Sequence, residues 1–401
     1  MRIHAFSLLA LLLAGCASTS ANPSARVIRR LDGSEIRSGA LSARIEQLMK
    51  AGDVHGLAVA VLNDREVVYL ETFGVKRADT KEPLRTDTVF YGASLSKAVS
   101  AVLVMRLVEE GVLDLDTPLV SYLDQPIEAY RSRTPRAWHE DLSDLKDDPL
   151  HRKITARMCL SHTTGFANWR WDEPDQKLRV RFEPGTRYSY SGEGFTFLQR
   201  VFEERTGKTL EELMKEKVFG PYGMTTSSYT WQPEFEKNYC HPHDEKGKVL
   251  EKDKDNAPRS PSTLETTPED YARFLRAVLQ GEGLKKSSWK EMFSPQIRLR
   301  SKTQFPTFST ETTDANDDIE LSYGLGWGLL KTPYGWGAFK EGHGDGFEHY
   351  TIVFPERGLG VMLMSNSANG ESIFKDLLEA TIADTYTPWE WEQYIPYDQE
   401  P

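Results

Sequence analysis

Apolar and polar positions along the chain predict β-strands near both ends of the sequence and helices between them. Short apolar runs bounded by turn residues are typical of strands, and Asn63-Asp64-Arg65 between two such runs predicts a hairpin. The predicted strands cover residues 57–62, 67–72, 326–330, 350–354 and 358–364.

The intervening segments show the spacing of helices. Apolar residues cover most faces of residues 94–110, which predicts a buried helix. The polar residues 300–319 predict a surface loop. The other predicted helices cover residues 41–49, 195–205, 210–217, 269–280 and 372–382. One antiparallel sheet built from both ends, flanked by helices and with a mainly helical lobe inserted, is the simplest α/β (α+β) fold for this order.

Length and charge narrow the class of protein. The 401 residues exceed the usual size of a single core, which predicts an α/β lobe (residues 39–90 and 320–388) and a helical lobe (residues 91–319). Hydrophobic residues make up 39% of the chain and charged residues 27%, as in a globular enzyme. The net charge of −11, with no basic block in the sequence, argues against a nucleic-acid partner.

The first residues predict export. Arg2 and the apolar stretch from Ala5 to Ala14 are typical of a signal peptide of residues 1–15, which is too short to span a bilayer. Residues 13–16, Leu-Ala-Gly-Cys, resemble the lipobox of bacterial lipoproteins. This resemblance implies that Cys16 is lipidated and anchors the protein on the periplasmic side of a bacterial membrane, the outer membrane in a Gram-negative cell.

An ordinary signal peptide cut near Ala17 is the alternative to lipidation. In either case, residues 16–38 are expected to form a tether, because the first of them are rich in Ser, Ala and Asn. Residues 389–401 are expected to form a carboxyl-terminal tail. The folded domain is therefore expected to span residues 39–388.

A Ser-x-x-Lys pattern places a serine and a lysine one helical turn apart, so that a neutral amine can take the serine proton. The chain contains the pattern four times, beginning at Ser94, Ser143, Ser287 and Ser372. Ser94 opens an apolar helix, where unpaired N–H groups favour a developing anion, and Lys97 follows one turn later. Ser143 lies in a charged stretch, and a helix N-cap explains Ser372. Ser94 is therefore the candidate nucleophile, with an N-cap as its alternative role.

Further motifs resemble the serine β-lactamase and penicillin-binding-protein family, and most closely the branch of class C β-lactamases, D-alanyl-D-alanine peptidases and esterases. The resemblance runs from about residue 40 to 385. The motifs lie at residues 90–97, 154–155, 160–165, 183–191, 218–224 and 323–327. The resemblance implies a β-lactamase/transpeptidase-like fold and a covalent acyl-enzyme on Ser94, with no cofactor and no metal.

The resemblance also implies roles for residues in the second motif of the family, Tyr-x-Asn. Tyr190 keeps the phenol that relatives use as general base and later as proton donor. Gly192 replaces the Asn whose amide binds the substrate in relatives, and the adjacent Glu193 could restore one polar contact. Gly192 and Glu193 are therefore candidate substrate-binding positions.

The third motif of the family, Lys-Thr-Gly or a variant, matches Lys340, Glu341 and Gly342. His343 is the alternative third-motif residue, since many relatives carry His-x-Gly, although strict His-x-Gly does not occur here. Lys340 is then a catalytic cation, and Glu341 and Gly342 are substrate-binding positions. By resemblance, the backbone N–H groups of Ser94 and His343 form the oxyanion hole.

Three other features are weaker candidates for chemistry. The run from Cys240 to Asp244 contains metal ligands, but no second ligand group stands at a recognised zinc spacing. His162 lies in a motif that shapes the turn beneath the site in relatives. Cys159 and Cys240 are expected to be free thiols, because two cysteines on distant segments are weak evidence for a disulfide.

The sequence therefore predicts a serine hydrolase that acts on a small-molecule ester, an amide or a peptide. An esterase is favoured over a D-amino-acid peptidase or a β-lactamase, because Gly192 and Glu341 both disfavour anionic amide substrates. A catalytically inactive binding lipoprotein is the alternative from another class, since the second motif is altered. The oligomeric state stays open.

Overall fold

The fold is built around nine antiparallel strands, in the order β5-β4-β3-β13-β12-β11-β10-β9-β8. The computed structural model describes residues 26–254 and 257–399. Two short antiparallel pairs, β1–β2 and β6–β7, lie apart from the sheet. The strands are β1 (Val27–Arg29), β2 (Glu35–Arg37), β3 (Gly56–Asn63), β4 (Glu66–Arg77), β5 (Glu82–Pro83), β6 (Phe90–Tyr91), β7 (Glu265–Thr266), β8 (Ile297–Arg298), β9 (Ser322–Tyr323), β10 (Gly328–Thr332), β11 (Gly335–Gly344), β12 (Phe347–Phe354) and β13 (Leu359–Ser365).

Helices cover both faces of the sheet and fill the region between β6 and β8. A π-helical turn at Lys215–Phe219 joins α5 to α6. The helices are α1 (Ser38–Ala51), α2 (Leu95–Glu109), α3 (Ala156–Leu160), α4 (Gly192–Thr206), α5 (Leu210–Met214), α6 (Gly220–Tyr222), α7 (Pro268–Gln280), α8 (Lys286–Met292) and α9 (Phe374–Ile382). Strands therefore come from both ends of the chain, and helices from its middle, as predicted.

The sheet separates two hydrophobic cores. Every residue of β3 and β13 is buried, because both faces of these central strands are covered. Alternate residues point to opposite faces. Ala58, Ala60 and Leu62 pack with α2 and α7, whereas Leu57 and Val59 pack with α1 and α9. The near-continuous apolar runs in the sequence reflect this burial on both faces.

The tether expected over residues 16–38 is corrected in its second half. β1 pairs with β2 in an antiparallel hairpin, and Ile28 and Leu31 are buried in the core beside α1. These two apolar side chains give residues 27–37 a fixed position. Cys16 and residues 1–25 lie outside the described residues.

The expected carboxyl-terminal tail is also packed on the domain. Trp391 is buried and contacts Phe339 of β11 and Tyr188. Its indole Nε1 donates to the Ser301 hydroxyl at 3.0 Å. The aromatic residues of the tail therefore extend the domain to at least residue 391.

Residues 300–319 lack regular strands and helices, as predicted, but they are not a purely solvent-facing loop. Gln304 is buried, and its amide donates to Glu341 at 2.6 Å. The Phe305 ring meets the Tyr190 ring at 5.6 Å between centroids. No helix within the described residues is long and apolar enough to cross a bilayer.

Candidate active site

Ser94 lies where β6 turns into α2. Ala93 has a φ of 44°, a left-handed conformation that is strained for a residue with a Cβ. The Ser96 hydroxyl donates to the Ala93 carbonyl at 2.5 Å and accepts from the Leu264 N–H at 3.0 Å, which holds this turn in place. Burial of almost every residue of α2 fixes the helix behind the serine. Ser94 is thereby held at the positive end of a buried helix.

Gly342 brings β11 against the start of α2. A Cβ at this position would lie 3.0 Å from the Gly92 carbonyl and 3.2 Å from the Leu95 nitrogen. The adjoining strand β10 ends its pairing at Phe339, so residues 340–344 pair with β12 on one side only. Among the described residues their other edge has no strand partner, and Glu341 and His343 of this segment line the pocket. The missing side chain of Gly342 is therefore what lets the strand approach Ser94.

Lys97 is fully buried, and its side-chain nitrogen Nζ lies 3.0 Å from Ser94 Oγ. The same Nζ donates to the Pro261 carbonyl at 3.0 Å. Burial, reinforced by the charge of Lys340, holds the pKa of Lys97 well below its usual value, and Glu341 offsets this in part. A neutral Lys97 amine can accept the Ser94 proton.

Tyr190 lies between the two lysines, just before α4. The Nζ atoms of Lys97 and Lys340 are 4.8 Å and 4.9 Å from the centre of its ring. Burial raises the pKa of Tyr190, although Lys340 and a hydrogen bond with Ser94 pull it down. The phenol therefore keeps its proton at neutral pH and is suited to donate it.

The His162 ring packs against the Tyr190 ring. It is fully buried, and its ring lies 4.3 Å from the Tyr190 ring. Its Nδ1 accepts from the Ser191 N–H at 3.0 Å, so its Nε2 carries the proton and faces the Tyr323 hydroxyl at 3.2 Å. Burial and the nearby lysines keep the pKa of His162 well below its usual value. The geometry gives His162 a positioning role.

Lys340 and Glu341 form a buried ion pair on β11. Their charged atoms are 3.0 Å apart, and Gln304 donates to the same Glu341 oxygen. Burial works against both charges, but each partner favours the charge of the other, so the pKa of Lys340 is raised and that of Glu341 is lowered. Lys340 is therefore a permanent cation beside Tyr190.

A cavity of about 250 Å³ opens onto Ser94. Aromatic rings dominate its walls, and Trp169 and Trp171 stack at 4.9 Å between centroids. The sequence predictions missed most of these residues, because all of the missed residues except Tyr91 and Ala93 lie outside the motifs. The lining residues are Tyr91, Ala93, Ser94, Asn168, Trp169, Trp171, Tyr190, Arg259, Ser262, Phe305, Glu341 and His343. A larger apolar cavity of about 700 Å³, beside α7 and α8, does not include Ser94.

The expected contact of Glu193 with substrate is corrected by the structure. Glu193 is fully buried in α4, away from the pocket lining. Its carboxylate accepts from the Arg170 backbone N–H at 2.8 Å and from the guanidinium at 2.9 Å through both oxygens. Because Arg170 occupies both oxygens, Glu193 holds the loop that precedes α4 instead of binding substrate.

Gly192, the other candidate on α4, adjoins the pocket through its neighbours. A Cβ at this position would lie 2.7 Å from the Trp169 ring and 3.0 Å from the Asn168 carbonyl. The space beside residue 192 is thus filled by the loop carrying Asn168 and Trp169.

His343 lines the pocket, and its ring turns toward Glu371 at 3.4 Å and Glu348 at 3.8 Å. Within residues 26–254 and 257–399, these three side chains are the group whose donor atoms lie within 4.8 Å of one another, close enough to share a metal ion. Ser94 and Lys97 do not belong to this group. The predicted oxyanion role concerns the backbone N–H of His343 and stays a prediction.

The remaining candidates have other partners. His243 is held by backbone groups, with Nδ1 donating to the Asn366 carbonyl and Nε2 accepting from the Ala78 N–H. Cys159 and Cys240 are buried free thiols, as expected. The Ser143 hydroxyl donates to Asp141, and the Ser372 hydroxyl donates to the Asn369 carbonyl. Among the four Ser-x-x-Lys serines, Ser94 accepts a hydrogen bond from its lysine and lines a pocket.

Comparison with known proteins agrees with this geometry. The family model described as Beta-lactamase matches residues 41–383. The chain belongs to the Beta-lactamase family. Members of this family are serine hydrolases that act on ester or amide bonds, and the same holds for this chain. A TM-score of 0.66 to the D-alanine carboxypeptidase AmpC from Burkholderia cenocepacia, at 17% identity over 86% of this chain and 98% of that one, confirms the fold.

The curated relatives differ in their named activities. Penicillin-binding protein 4 from Amycolatopsis lactamdurans is 25% identical over 85% of this chain and 88% of its own length. Lovastatin esterase from Penicillium rubens is 30% identical over 47% of this chain, and the match spans about half (52%) of that esterase. D-aminopeptidase from Brucella anthropi is 28% identical over 48% of this chain and 36% of its own length. These relatives resolve the family but not the substrate.

Proposed function

We propose that this chain is an exported esterase that hydrolyses carboxylic esters through an acyl-enzyme on Ser94. The observation that carries the proposal is the 3.0 Å contact between Lys97 Nζ and Ser94 Oγ, at the floor of a small aromatic pocket. A lysine amine kept neutral by burial activates such a serine without any further base.

The reaction follows from the protonation states of the two groups beside Ser94. As Oγ attacks the ester carbonyl, its proton passes to Lys97 and the carbonyl oxygen becomes an oxyanion. Collapse of this intermediate breaks the bond to the alcohol, which leaves with a proton from Tyr190. The phenol regains a proton from the Lys97 ammonium. Water then attacks the acyl-enzyme by the same sequence and releases the acid.

Two features support an ester over a penicillin or a peptide. The pocket of about 250 Å³ suits a small acyl group against aromatic walls. Lys340, the cation that could offset the repulsion between Glu341 and a substrate carboxylate, is already paired with Glu341 at 3.0 Å. An anionic substrate would therefore approach the ionised Glu341 without gaining a free cation at Lys340.

A labelling experiment tests the nucleophile. A fluorophosphonate probe should add one label to each wild-type molecule, as intact-mass spectrometry would show. Ser94→Ala should abolish the labelling while leaving the fold intact. Ser372→Ala is the matched control, because Ser372 has the same Ser-x-x-Lys pattern outside the pocket. Labelling of the Ser94→Ala protein at any other serine would overturn the assignment.

A substrate comparison tests the ester preference. We expect a higher kcat/KM for 4-nitrophenyl butyrate than for nitrocefin. A higher value for nitrocefin would make the protein a β-lactamase, and release of D-alanine from peptides at a higher kcat/KM would make it a peptidase.

Export and anchoring through Cys16 belong to the same proposal, and rest on the Leu-Ala-Gly-Cys sequence at residues 13–16. Cys16→Ser should move the protein from the membrane fraction to the soluble fraction. A wild-type protein that is already soluble, with an N-terminus beyond residue 16, would contradict lipidation.

A further inference from the structure

The pocket contains a side-chain amide that none of the sequence motifs supplies. Asn168 lies in the loop between α3 and α4 and lines the same cavity as Ser94. Its Oδ1 accepts from the Gly192 N–H at 3.0 Å, which fixes the orientation of the amide because a backbone N–H can only donate. Within the described part of the chain, Nδ2 donates no hydrogen bond to another residue. Asn168 therefore presents an NH₂ donor to a ligand in the cavity.

The backbone around Asn168 is held from several sides. Its carbonyl accepts from the N–H groups of Gly192 and Glu193, both at 3.0 Å. The Ser191 hydroxyl donates to the preceding carbonyl, that of Ala167, at 2.8 Å. The buried ion pair of Glu193 with Arg170 fixes the loop two residues later. A donor held this firmly loses little conformational entropy when it binds a ligand.

The position of the loop that carries Asn168 requires a glycine at residue 192. Any side chain on residue 192 would collide with the Trp169 ring at 2.7 Å and with the Asn168 carbonyl at 3.0 Å. Because α4 begins with a residue that has no side chain, the loop can fold against it. The loop thereby supplies an amide to the wall of the cavity from a different part of the sequence.

We propose that Asn168 determines substrate specificity, by donating a hydrogen bond from Nδ2 to a second carbonyl oxygen in the acyl part of the substrate. The preferred substrates are then esters whose acyl group carries an amide or ester carbonyl, in place of plain alkanoyl esters. This inference rests on the proposed esterase function. One such hydrogen bond is worth about 5- to 150-fold in rate or affinity.

Two matched esters test the proposal. In 4-nitrophenyl N-acetylglycinate the acyl group carries an amide, and in 4-nitrophenyl 4-methylpentanoate the same shape is purely apolar. The readout is the ratio of the two kcat/KM values in wild type and in Asn168→Asp. The aspartate keeps an oxygen for the Gly192 N–H and loses the NH₂ donor, and its charge acts on both esters alike. We expect the ratio to fall about 5- to 150-fold.

A control and a second variant keep the result interpretable. Asn316→Asp makes the same chemical change at a position outside the pocket lining, and should leave the ratio as in wild type. Asn168→Ala removes the donor without adding charge and serves if Asn168→Asp does not fold, as judged by thermal unfolding. A ratio that stays unchanged, or an equal loss for both esters, would mean that Asn168 only holds the loop.

A pair of boronic acids separates this inference from the proposed function. Acetamidomethylboronic acid and 3-methylbutylboronic acid have the same shapes as the two acyl groups. In each case the boron takes Ser94 Oγ as its fourth ligand and the serine proton passes to a base, with no leaving group. An affinity ratio that depends on Asn168, without turnover of either ester, would overturn only the esterase proposal. Ester turnover, with kcat/KM and affinity ratios that are the same in wild type and in Asn168→Asp, would overturn only this inference.

Discussion

The two buried lysines of the site have similar surroundings, but their pKa values are shifted in opposite directions. Lys97 on α2 and Lys340 on β11 are both fully buried, and both nitrogens lie just under 5 Å from the Tyr190 ring centre. Burial lowers the pKa of each, but only Lys340 has a carboxylate within 3.0 Å, that of Glu341. The partner, and not the depth of burial, thus decides which lysine is a base and which is a fixed cation.

Arginine substitutions should distinguish the roles of the two lysines most clearly, because arginine is always charged. Lys97→Arg removes the base and should lower the rate of ester hydrolysis about 10²- to 10⁴-fold. Lys340→Arg keeps the charge and should cost less than about tenfold, because the pair with Glu341 survives. Stopped-flow or steady-state kcat/KM measurements check both variants. Equal losses in the two would mean that Lys97 also acts as a cation.

Methionine substitutions should separate the two lysines by stability. Lys340→Met leaves Glu341 buried without its cation and should lower the free energy of unfolding by about 3 kcal/mol. Lys97→Met should leave that energy unchanged or raise it at neutral pH. The pKa of Lys97 is lowered on folding, so the unfolded state binds one more proton and folding must release it. Urea unfolding at pH 7 compares the variants. Greater destabilisation by Lys97→Met would contradict this account.

The carboxylate that distinguishes the lysines should also affect substrate choice. Glu341→Gln removes a negative charge at the pocket wall. The kcat/KM for nitrocefin, relative to that for 4-nitrophenyl butyrate, should therefore rise about fivefold to tenfold. Glu379→Gln is the control, because it makes the same chemical change at an exposed carboxylate of α9 outside the pocket lining. An unchanged ratio in Glu341→Gln would remove charge repulsion from the argument for esters.

The smallest expected effect is a shift of the pH profile. Activity should rise with pH as Lys97 loses its proton. Lys340 lowers the pKa of Lys97 and Glu341 raises it. The acid limb of the fluorophosphonate labelling rate should therefore move to higher pH in Lys340→Met and to lower pH in Glu341→Gln. Shifts in the same direction would mean that another group controls the limb.

The fold was largely predictable because the central strands and α2 carry long apolar runs. Ser94 and Lys97 were predictable because one helical turn joins them. Strand β11 was not predicted, since four of its ten residues are glycines and two, Lys340 and Glu341, are buried charges. These glycines and buried charges interrupt the alternation of apolar and polar residues that normally indicates a strand.

The pocket walls were the least predictable part of the site. Asn168 and Phe305 lie in irregular segments outside the motifs, and their positions depend on tertiary contacts. Glu193 shows the same limit, because its partner Arg170 lies 23 residues away in a loop. Local spacing along a sequence carries no information about such pairs.

The central sheet cannot form until β13 has been made, because β13 pairs with β3. This pairing joins residues 57–62 to residues 360–365, next to each other at the centre of the sheet. A ribosome that has made nine-tenths of the chain has supplied Ser94 and its helix, but not the strand beneath them. Contacts this distant in sequence form slowly. A growing polypeptide would therefore stay without hydrolytic activity until its last strands had been made and had paired with β3.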